Sequence, residues 1–176
     1  MPLAARHNRG VTTDFGLTVE HVEWNDPRAE ALRDVMESEM SELYADKQGD
    51  ATPEQADALH RALAVDPASV FVTVLVLDRD GTPVAHAALK ELRSEWEMKR
   101  VIVDASRRGR GIGALLMTEL ERAARAGGAR RIILQTGDRQ QDAVRLYERS
   151  GYTPIPVYAP YLDTIPFSLC FEKVLD

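Results

Sequence analysis

The sequence has one cysteine among its 176 residues, Cys170. A single thiol can form neither an internal disulfide nor a zinc site built from several cysteines, so we expect a protein of a reducing compartment. No apolar run approaches the roughly 20 residues of a membrane-spanning helix. The first residues also lack the basic-then-apolar pattern of a secretion signal, so the cytoplasm is the expected location and no membrane partner is predicted.

Basic residues are also scarce relative to acidic ones. Lys and Arg number 22 against 28 Asp and Glu, which gives a net charge of −6. A surface of this sign disfavours general nucleic-acid binding, because phosphate backbones need basic partners. The sequence has no internal repeat, low-complexity segment or interdomain linker. We therefore predict a loose tail over residues 1–15 and a single domain over residues 16–176.

The pattern of apolar residues predicts an α/β fold with the element order β-α-α-β-β-β-α-β-α-β-β. Asp26-Pro27 is typical of a helix start, and Thr52 with Gln55 forms a candidate capping box for a second helix. Between two β-branched runs, Asp80-Gly81 predicts a hairpin turn. An antiparallel meander followed by a β-α-β unit predicts one mixed sheet with helices on both faces.

The stretch "RRGRGIGALL", Arg107 to Leu116, is the most informative segment. A P-loop would end in Gly-Lys-Ser/Thr, but Ala114 and Leu115 follow Gly113 here. The spacing of the glycines also departs from the dinucleotide-binding fingerprint, and an arginine-glycine segment for nucleic acid would be longer and repeated. Two interpretations stay open: a plain glycine turn, or a phosphate site made by backbone amides at a helix start.

These residues resemble a known family. "RRGRGIG" matches the (Gln/Arg)-x-x-Gly-x-(Gly/Ala) motif of the GNAT N-acetyltransferases, and "AVRLYERSGY", Ala143 to Tyr152, resembles their later Ala-x-x-Leu-Tyr-Glu-x-x-Gly-Phe/Tyr segment. The resemblance covers about residues 16 to 175. It implies the GNAT fold and acetyl transfer from acetyl-CoA, without a metal, to a small amine or peptide acceptor by direct attack. An acyl-CoA-binding sensor without turnover is the alternative, and a nucleic-acid-binding protein that uses the loop arginines is a third possibility.

The resemblance also implies a set of residues that bind acetyl-CoA. Backbone amides of the glycine loop would hold the pyrophosphate: Arg108, Gly109, Arg110, Gly111, Ile112, Gly113 and Ala114. The preceding strand would pair with the pantetheine arm through Val101, Ile102 and Val103. Where the family often has a cofactor-binding asparagine, this chain has Gln140, a longer amide, and the resemblance also implies that Tyr147 contacts the co-substrate.

The alternation in that strand predicts an irregularity. Trp96 and Met98 share one phase, whereas Val101 and Val103 share the other. A bulge of one residue near Lys99-Arg100 would put all four side chains on one face and splay the strand from its later neighbour. A strand without a bulge and buried on both faces is the alternative.

Two residues are candidates for proton transfer. Tyr147 lies where the family often has the general acid for the departing thiolate, and a phenol with a pKa near ~10 can protonate a thiolate whose thiol has a pKa near ~8.5. A core aromatic at helical spacing is the other interpretation of Tyr147. Glu97, in "WEMKRVIV", is the candidate for accepting the amine proton, and Glu91 and Glu95 are its competitors. Bulge amides near Val101 are the candidate oxyanion donors.

The remaining polar and aromatic residues give weaker indications. The two helices predicted between the first strands, about Pro27 to Val65, are expected to form one side of the acceptor site. Their acidic residues suit a cationic amine or form a solvated face: Glu37, Glu39, Glu42 and Asp46. His86 and His60 are expected to be structural or surface residues rather than metal ligands. The proline-rich segment after Gly151, which contains Tyr158 and Tyr161, would line the acceptor pocket or a homodimer interface.

Overall fold

The computed structural model describes residues 10–13, 16–49 and 51–176, and the strands of these residues form one sheet. The strands are β1 (Val11–Thr12), β2 (Thr18–Val22), β3 (Val70–Leu77), β4 (Pro83–Leu92), β5 (Glu95–Val103), β6 (Arg131–Thr136), β7 (Thr153–Ile155) and β8 (Leu169–Val174). The helices are α1 (Pro27–Leu43), α2 (Ala45–Gly49), α3 (Pro53–Leu63), α4 (Ile112–Ala126) and α5 (Gln141–Arg149). None of the helices in these ranges has the length and apolar character needed to cross a bilayer.

The strand order is β1-β2-β3-β4-β5-β6-β8-β7. Strands β5 and β6 run parallel, and the other neighbouring pairs are antiparallel. A parallel pair needs a crossover connection, which α4 supplies. The predicted mixed α/β sheet is therefore confirmed.

Helices cover both faces of the sheet. Along β3, Val74 and Val76 belong to the main apolar cluster with α4 and α5, whereas Leu75 and Leu77 pack against Ala29 and Leu32 of α1. Successive strand residues point to opposite faces, so a continuous apolar run means that both faces are covered.

Local sequence sets the starts of α1 and α3, as predicted. The Asp26 carboxylate accepts a hydrogen bond of 2.9 Å from the Arg28 amide. At α3 the capping box is complete: the Thr52 hydroxyl accepts from the Gln55 amide at 3.3 Å, and the Gln55 side chain accepts from the Thr52 amide at 2.9 Å. Each contact satisfies an N–H group that the helix leaves without a partner.

Two short elements differ from the sequence expectation. The predicted tail lies mostly outside the described residues, at positions 1–9 and 14–15, but Val11–Thr12 form a short strand paired with β2. Ala45–Gly49 form the short helix α2, which the predicted element order does not contain. Ion pairs to a distant loop stabilise this short helix, since Asp46 binds Arg139 and Lys47 binds Asp138.

Candidate active site

The loop between β5 and α4 exposes a run of backbone amides. Gly109 and Gly111 have φ values of 76° and 81°, which a side chain would make unfavourable, and α4 begins directly after Gly111. Within the described residues, the consecutive N–H groups from Arg108 to Ala114 donate to no protein acceptor. Such N–H groups at the positive end of a helix dipole form an anion site.

The arginine side chains of this loop are partly engaged with carboxylates. Arg108 donates to Glu39 at 2.6 Å and to the Val103 carbonyl at 2.9 Å, and Arg107 donates to Asp78 at 2.6 Å. Arg110 is exposed. The backbone N–H groups of the loop are thus available to a ligand, whereas the guanidinium groups of Arg107 and Arg108 already bind carboxylates.

The sheet opens next to this loop. Strand β5 pairs with β6 only from Trp96 to Met98, opposite Ile132 to Leu134. Beyond Met98 the two parallel strands are no longer paired, in agreement with the separation expected from the change of phase in β5. The predicted bulge is also confirmed. Between the pairs Ala88–Lys99 and His86–Ile102, one residue of β4, Ala87, lies opposite two residues of β5, Arg100 and Val101, and Arg100 has a φ of 58°.

The bulge decides which backbone groups face the opening. Asp104 donates its N–H to Val84 of β4 at 2.8 Å, so alternation turns the N–H groups of Val103 and Val101 away from β4, towards the opening. Ile102 lies between them and is paired with His86. Of the three predicted backbone partners, Val101 and Val103 therefore face the opening, whereas Ile102 faces β4.

The two sequence motifs meet at the start of α4. A side chain at Gly113 would lie 3.0 Å from the Leu146 side chain of α5, so this glycine allows the two helices to pack closely. Tyr147 follows Leu146 and is 5% exposed, within the main apolar cluster that also contains Met98. Burial raises the pKa of Tyr147. Gln140 is the residue that precedes the first turn of α5.

Glu97 lies on the opposite face of the sheet from Tyr147. Its side chain is fully buried, and its Oε1 accepts hydrogen bonds from the Tyr158 hydroxyl at 2.9 Å and the Tyr161 hydroxyl at 2.6 Å. Lys99 donates to the Tyr161 hydroxyl at 2.8 Å, and Lys90 Nζ lies 3.8 Å from Glu97 Oε2. Burial lowers the pKa of Lys99 to about 8. Oε2 forms no hydrogen bond among the described residues.

Glu97 was predicted from the sequence, whereas its contacts with Tyr158 and Tyr161, and the contact of Lys99 with Tyr161, were not predicted. Strand alternation places Lys99 on the same face as Glu97, so a contact between Lys99 and the surroundings of Glu97 could have been predicted. The two tyrosines were identified as lining a pocket or an interface; the structure turns them inward, onto the carboxylate. The competitors lie apart from this network: Glu91 is exposed, and Glu95 binds Arg131.

The end of α1 is joined to the loop between β6 and α5. The Tyr44 hydroxyl accepts from the Arg139 amide at 3.0 Å and donates to Asp138 at 3.2 Å. Gly137 has no room for a side chain, because a Cβ would overlap the Tyr44 hydroxyl. Three of the acidic residues expected to attract a cationic amine are paired: Glu37 with Arg100, Glu39 with Arg108, and Asp46 with Arg139.

His60, His86 and Cys170 belong to no cluster of candidate metal ligands in the part of the chain that the structure describes. His86 is fully buried and His60 is exposed, and the described residues contain no group of three or more His, Cys, Asp or Glu that could hold a metal ion. Cys170 is buried on β8, and burial raises the pKa of its thiol.

A mixed sheet that opens between two parallel strands, beside an amide-lined helix start, defines the class of N-acyltransferase folds. The chain belongs within that class to the GNAT acetyltransferase family, whose model matches residues 30–152. It is therefore an acyltransferase.

Individual relatives agree with this assignment. An IAA acetyltransferase of Azospirillum brasilense is 35% identical over 107 residues, which are 59% of this chain and 69% of that protein. A Klebsiella pneumoniae structure that carries an acyl-CoA N-acyltransferase assignment has a TM-score of 0.72 and 26% identity, over 93% of this chain and 100% of that one. The PaiA N-acetyltransferase of Thermoplasma acidophilum, solved with coenzyme A, has the same fold at 15% identity, with a TM-score of 0.62 over 89% of this chain and 98% of that one.

Proposed function

We propose that this enzyme transfers the acetyl group of acetyl-CoA to a primary amine by direct attack in a ternary complex. The observation that carries the proposal is the opening between β5 and β6, which lies directly beside the free N–H groups of Arg108 to Ala114. An extended arm can lie along β5 there, because Val101 and Val103 present their N–H groups to the opening. The pyrophosphate then reaches the helix start.

The loop suits a pyrophosphate for a steric reason as well. Apart from each glycine and its two chain neighbours, no atom of the described residues lies within 4 Å of the Cβ positions of Gly109 and Gly111, so phosphate oxygens can approach the backbone closely there. The Arg108 side chain adds a charge-assisted contact only if it leaves Glu39. Gln140, at the start of α5, is the proposed further contact to the co-substrate.

The two proton transfers are assigned to Glu97 and Tyr147, which lie on opposite faces of the sheet. We assign to Glu97 the acceptance of the amine proton, directly or through water, because its Oε2 is free of hydrogen bonds. Tyr147 is assigned the donation of a proton to the departing thiolate from the other face. Since burial raises the pKa of Tyr147, its hydroxyl keeps its proton over the whole physiological pH range.

Direct attack is favoured over a covalent acetyl-cysteine. The nucleophilic form of cysteine is the thiolate, and the buried Cys170 has a raised pKa that disfavours this form. We further propose that residues 16–176 act as one domain, because a single sheet runs from β1 to β8.

The acceptor site lies on the Glu97 side in this proposal. The carboxylates of α1 and α2 contribute little attraction for a cationic amine, since three of them already pair with arginines. The segment with Tyr158 and Tyr161 borders Glu97 and is the proposed wall of the acceptor pocket.

A thiol-release assay with acetyl-CoA over a panel of small amines, amino acids and peptides tests the proposal. We expect release of free coenzyme A with at least one amine, together with a mass increase of one acetyl group on that amine. Binding of acetyl-CoA without turnover of any acceptor would contradict the assigned reaction, and the absence of binding would contradict the assigned co-substrate.

A further inference from the structure

His86 is a fully buried histidine of β4 that lies against the bulge of β5. Its Nδ1 is 2.8 Å from the carbonyl oxygen of Arg100, and its Nε2 is 3.1 Å from a guanidinium nitrogen of Arg33 on α1. Both of its ring nitrogens are therefore engaged, and one of them contacts the residue at which β5 departs from regular pairing.

The partners determine the form of the ring. A guanidinium group can only donate, so Nε2 accepts; a carbonyl can only accept, so Nδ1 carries the proton and donates. Burial lowers the pKa of His86 to about 4, which keeps the ring neutral near pH 7. Arg33 is fixed in turn: it is 8% exposed, donates to the Trp24 carbonyl at 2.7 Å, and lies 3.8 Å from the centre of the Trp24 ring.

The contact with the Arg100 carbonyl orients a whole peptide unit. The carbonyl of Arg100 and the N–H of Val101 belong to the same planar group and point in opposite directions when the bond is trans. His86 holds the carbonyl on the β4 side, and the N–H of Val101 consequently points into the opening between β5 and β6. This agrees with the direction derived independently from the bond between Asp104 and Val84.

We propose that His86 is a positioning residue for acetyl transfer: it fixes and polarises the Arg100–Val101 peptide so that the Val101 N–H can stabilise negative charge on the thioester oxygen. This inference rests on the proposed function. The bulge disrupts the regular ladder at this point, and the histidine side chain supplies a donor there. A hydrogen bond to the carbonyl also strengthens the N–H of the same group as a donor.

The bulge needs such a support because its backbone is unfavourable. Arg100 has a φ of 58°, a conformation that a residue with a side chain keeps only where its surroundings enforce it. Loss of one oxyanion donor typically lowers kcat by ~10²–10³. We expect a partial loss here, a fall in kcat of about 10- to 100-fold, because the Val101 N–H itself stays in the chain.

A matched pair of variants tests the role of the donor. In His86→Asn the side-chain amide nitrogen takes about the place of Nδ1 and can donate to the Arg100 carbonyl. In His86→Gln it takes about the place of Nε2 and cannot. We expect His86→Asn to retain most of kcat and His86→Gln to show the fall of about 10- to 100-fold. The Kd for coenzyme A should change less than about threefold in both variants, because the loop amides are untouched.

A spectroscopic measurement makes the test independent of the acceptor. Bound acetyl-CoA labelled with ¹³C at its carbonyl should resonate downfield of free acetyl-CoA in the wild-type enzyme, and should move back towards the free value in His86→Gln but not in His86→Asn. Equal carbonyl shifts and equal kcat values in the two variants would overturn the proposal. A wild-type enzyme that binds acetyl-CoA without any carbonyl shift would overturn the proposed site itself.

The wild-type protein alone gives a further readout if the variants fold poorly. With ¹⁵N-labelled histidine, Nδ1 should carry the proton and Nε2 should not. The amide resonance of Val101 should shift with acetyl-CoA and shift less with coenzyme A, which has no thioester oxygen. A proton on Nε2 alone, or a Val101 resonance that responds equally to both ligands, contradicts the proposal.

Discussion

At the scale of single residues, Tyr147 supports a kinetic prediction. It is buried in the main apolar cluster, and its hydroxyl is the group assigned to proton donation. Replacement by Phe keeps the ring and removes the proton. We expect Tyr147→Phe to lower kcat on the order of 10²-fold while the Kd for coenzyme A changes little, as for loss of a general acid. Steady-state kinetics with an identified acceptor and titration calorimetry with coenzyme A measure the two quantities.

Tyr152 provides the matched control. Its ring centre lies 6.2 Å from that of Tyr147, it is 3% exposed, and burial raises its pKa too. Tyr152→Phe should leave kcat within about twofold, since no step is assigned to its hydroxyl. Equal losses of rate in the two variants would indicate that general packing, rather than proton transfer, explains the effect of Tyr147→Phe.

Single residues also differ in whether their role could be predicted from the sequence. Glu97 could be predicted as a site residue, because the motif that indicates it consists of neighbouring residues in the segment "WEMKRVIV". Its partners could not be selected: Tyr158 and Tyr161 lie 61 and 64 positions away, beyond a segment interrupted by prolines. His86 was expected to be structural or a surface residue, and only the position of Arg100 in the bulge shows what its ring contacts.

At the scale of elements, the glycine loop supports a prediction about affinity. Gly111 has a φ of 81° and open space around its Cβ position, so Gly111→Ala introduces backbone strain, of about 1 kcal/mol, without a clash. The loop can relieve this strain by turning its amides. We expect the Kd for coenzyme A to rise about 5- to 30-fold, with a small loss of thermal stability.

Gly81 in the turn between β3 and β4 is the control for that substitution. It has a φ of 79° and equally open space, but lies outside the anion site. Gly81→Ala should cost similar stability and leave the Kd for coenzyme A unchanged. If both variants lower affinity equally, global destabilisation explains the result; if neither does, the amides of this loop do not bind the pyrophosphate.

The elements that the sequence predicted are those with local determinants. The starts of α1 and α3 follow from Asp26 and from the pair Thr52 and Gln55, which are close in sequence to the groups that they bind. The bulge followed from a change of phase between Met98 and Val101. Strand β1 and helix α2 were missed because each is too short to carry a period and depends on partners elsewhere in the fold.

At the scale of the whole molecule, the two faces of the sheet have different compositions. The face under α4 and α5 holds the large apolar cluster with Leu116, Leu120 and Ile132. The face under α1 holds a smaller apolar cluster and several buried polar or charged side chains: Arg33, His86, Lys90, Glu97 and Lys99. Burial of charge costs stability unless partners compensate it. We therefore expect the face with the proposed acceptor and bulge-positioning groups to contribute less to stability.

The cost on that face should be visible as a pH dependence of global stability. Burial lowers the pKa of Lys99 from 10.5 to about 8. Between these pH values the unfolded chain binds more protons than the folded protein, so the free energy of unfolding contributed by this group rises with pH. The rise begins near pH 8 and is complete near pH 10.5. Its full size is on the order of 3 kcal/mol.

Urea denaturation of the wild type and of Lys99→Met at a series of pH values from 7 to 10.5 measures this contribution. Met keeps the length of the side chain and does not titrate. We expect the difference in unfolding free energy, wild type minus variant, to increase steadily over this range, because only the wild type loses a buried charge as the pH rises. Lys99→Arg stays charged throughout, so the difference in unfolding free energy between Lys99→Arg and Lys99→Met should stay constant over this pH range. Parallel curves for the wild type and Lys99→Met would mean that Lys99 titrates alike in the folded and unfolded states, so that its charge is not desolvated on the Glu97 face.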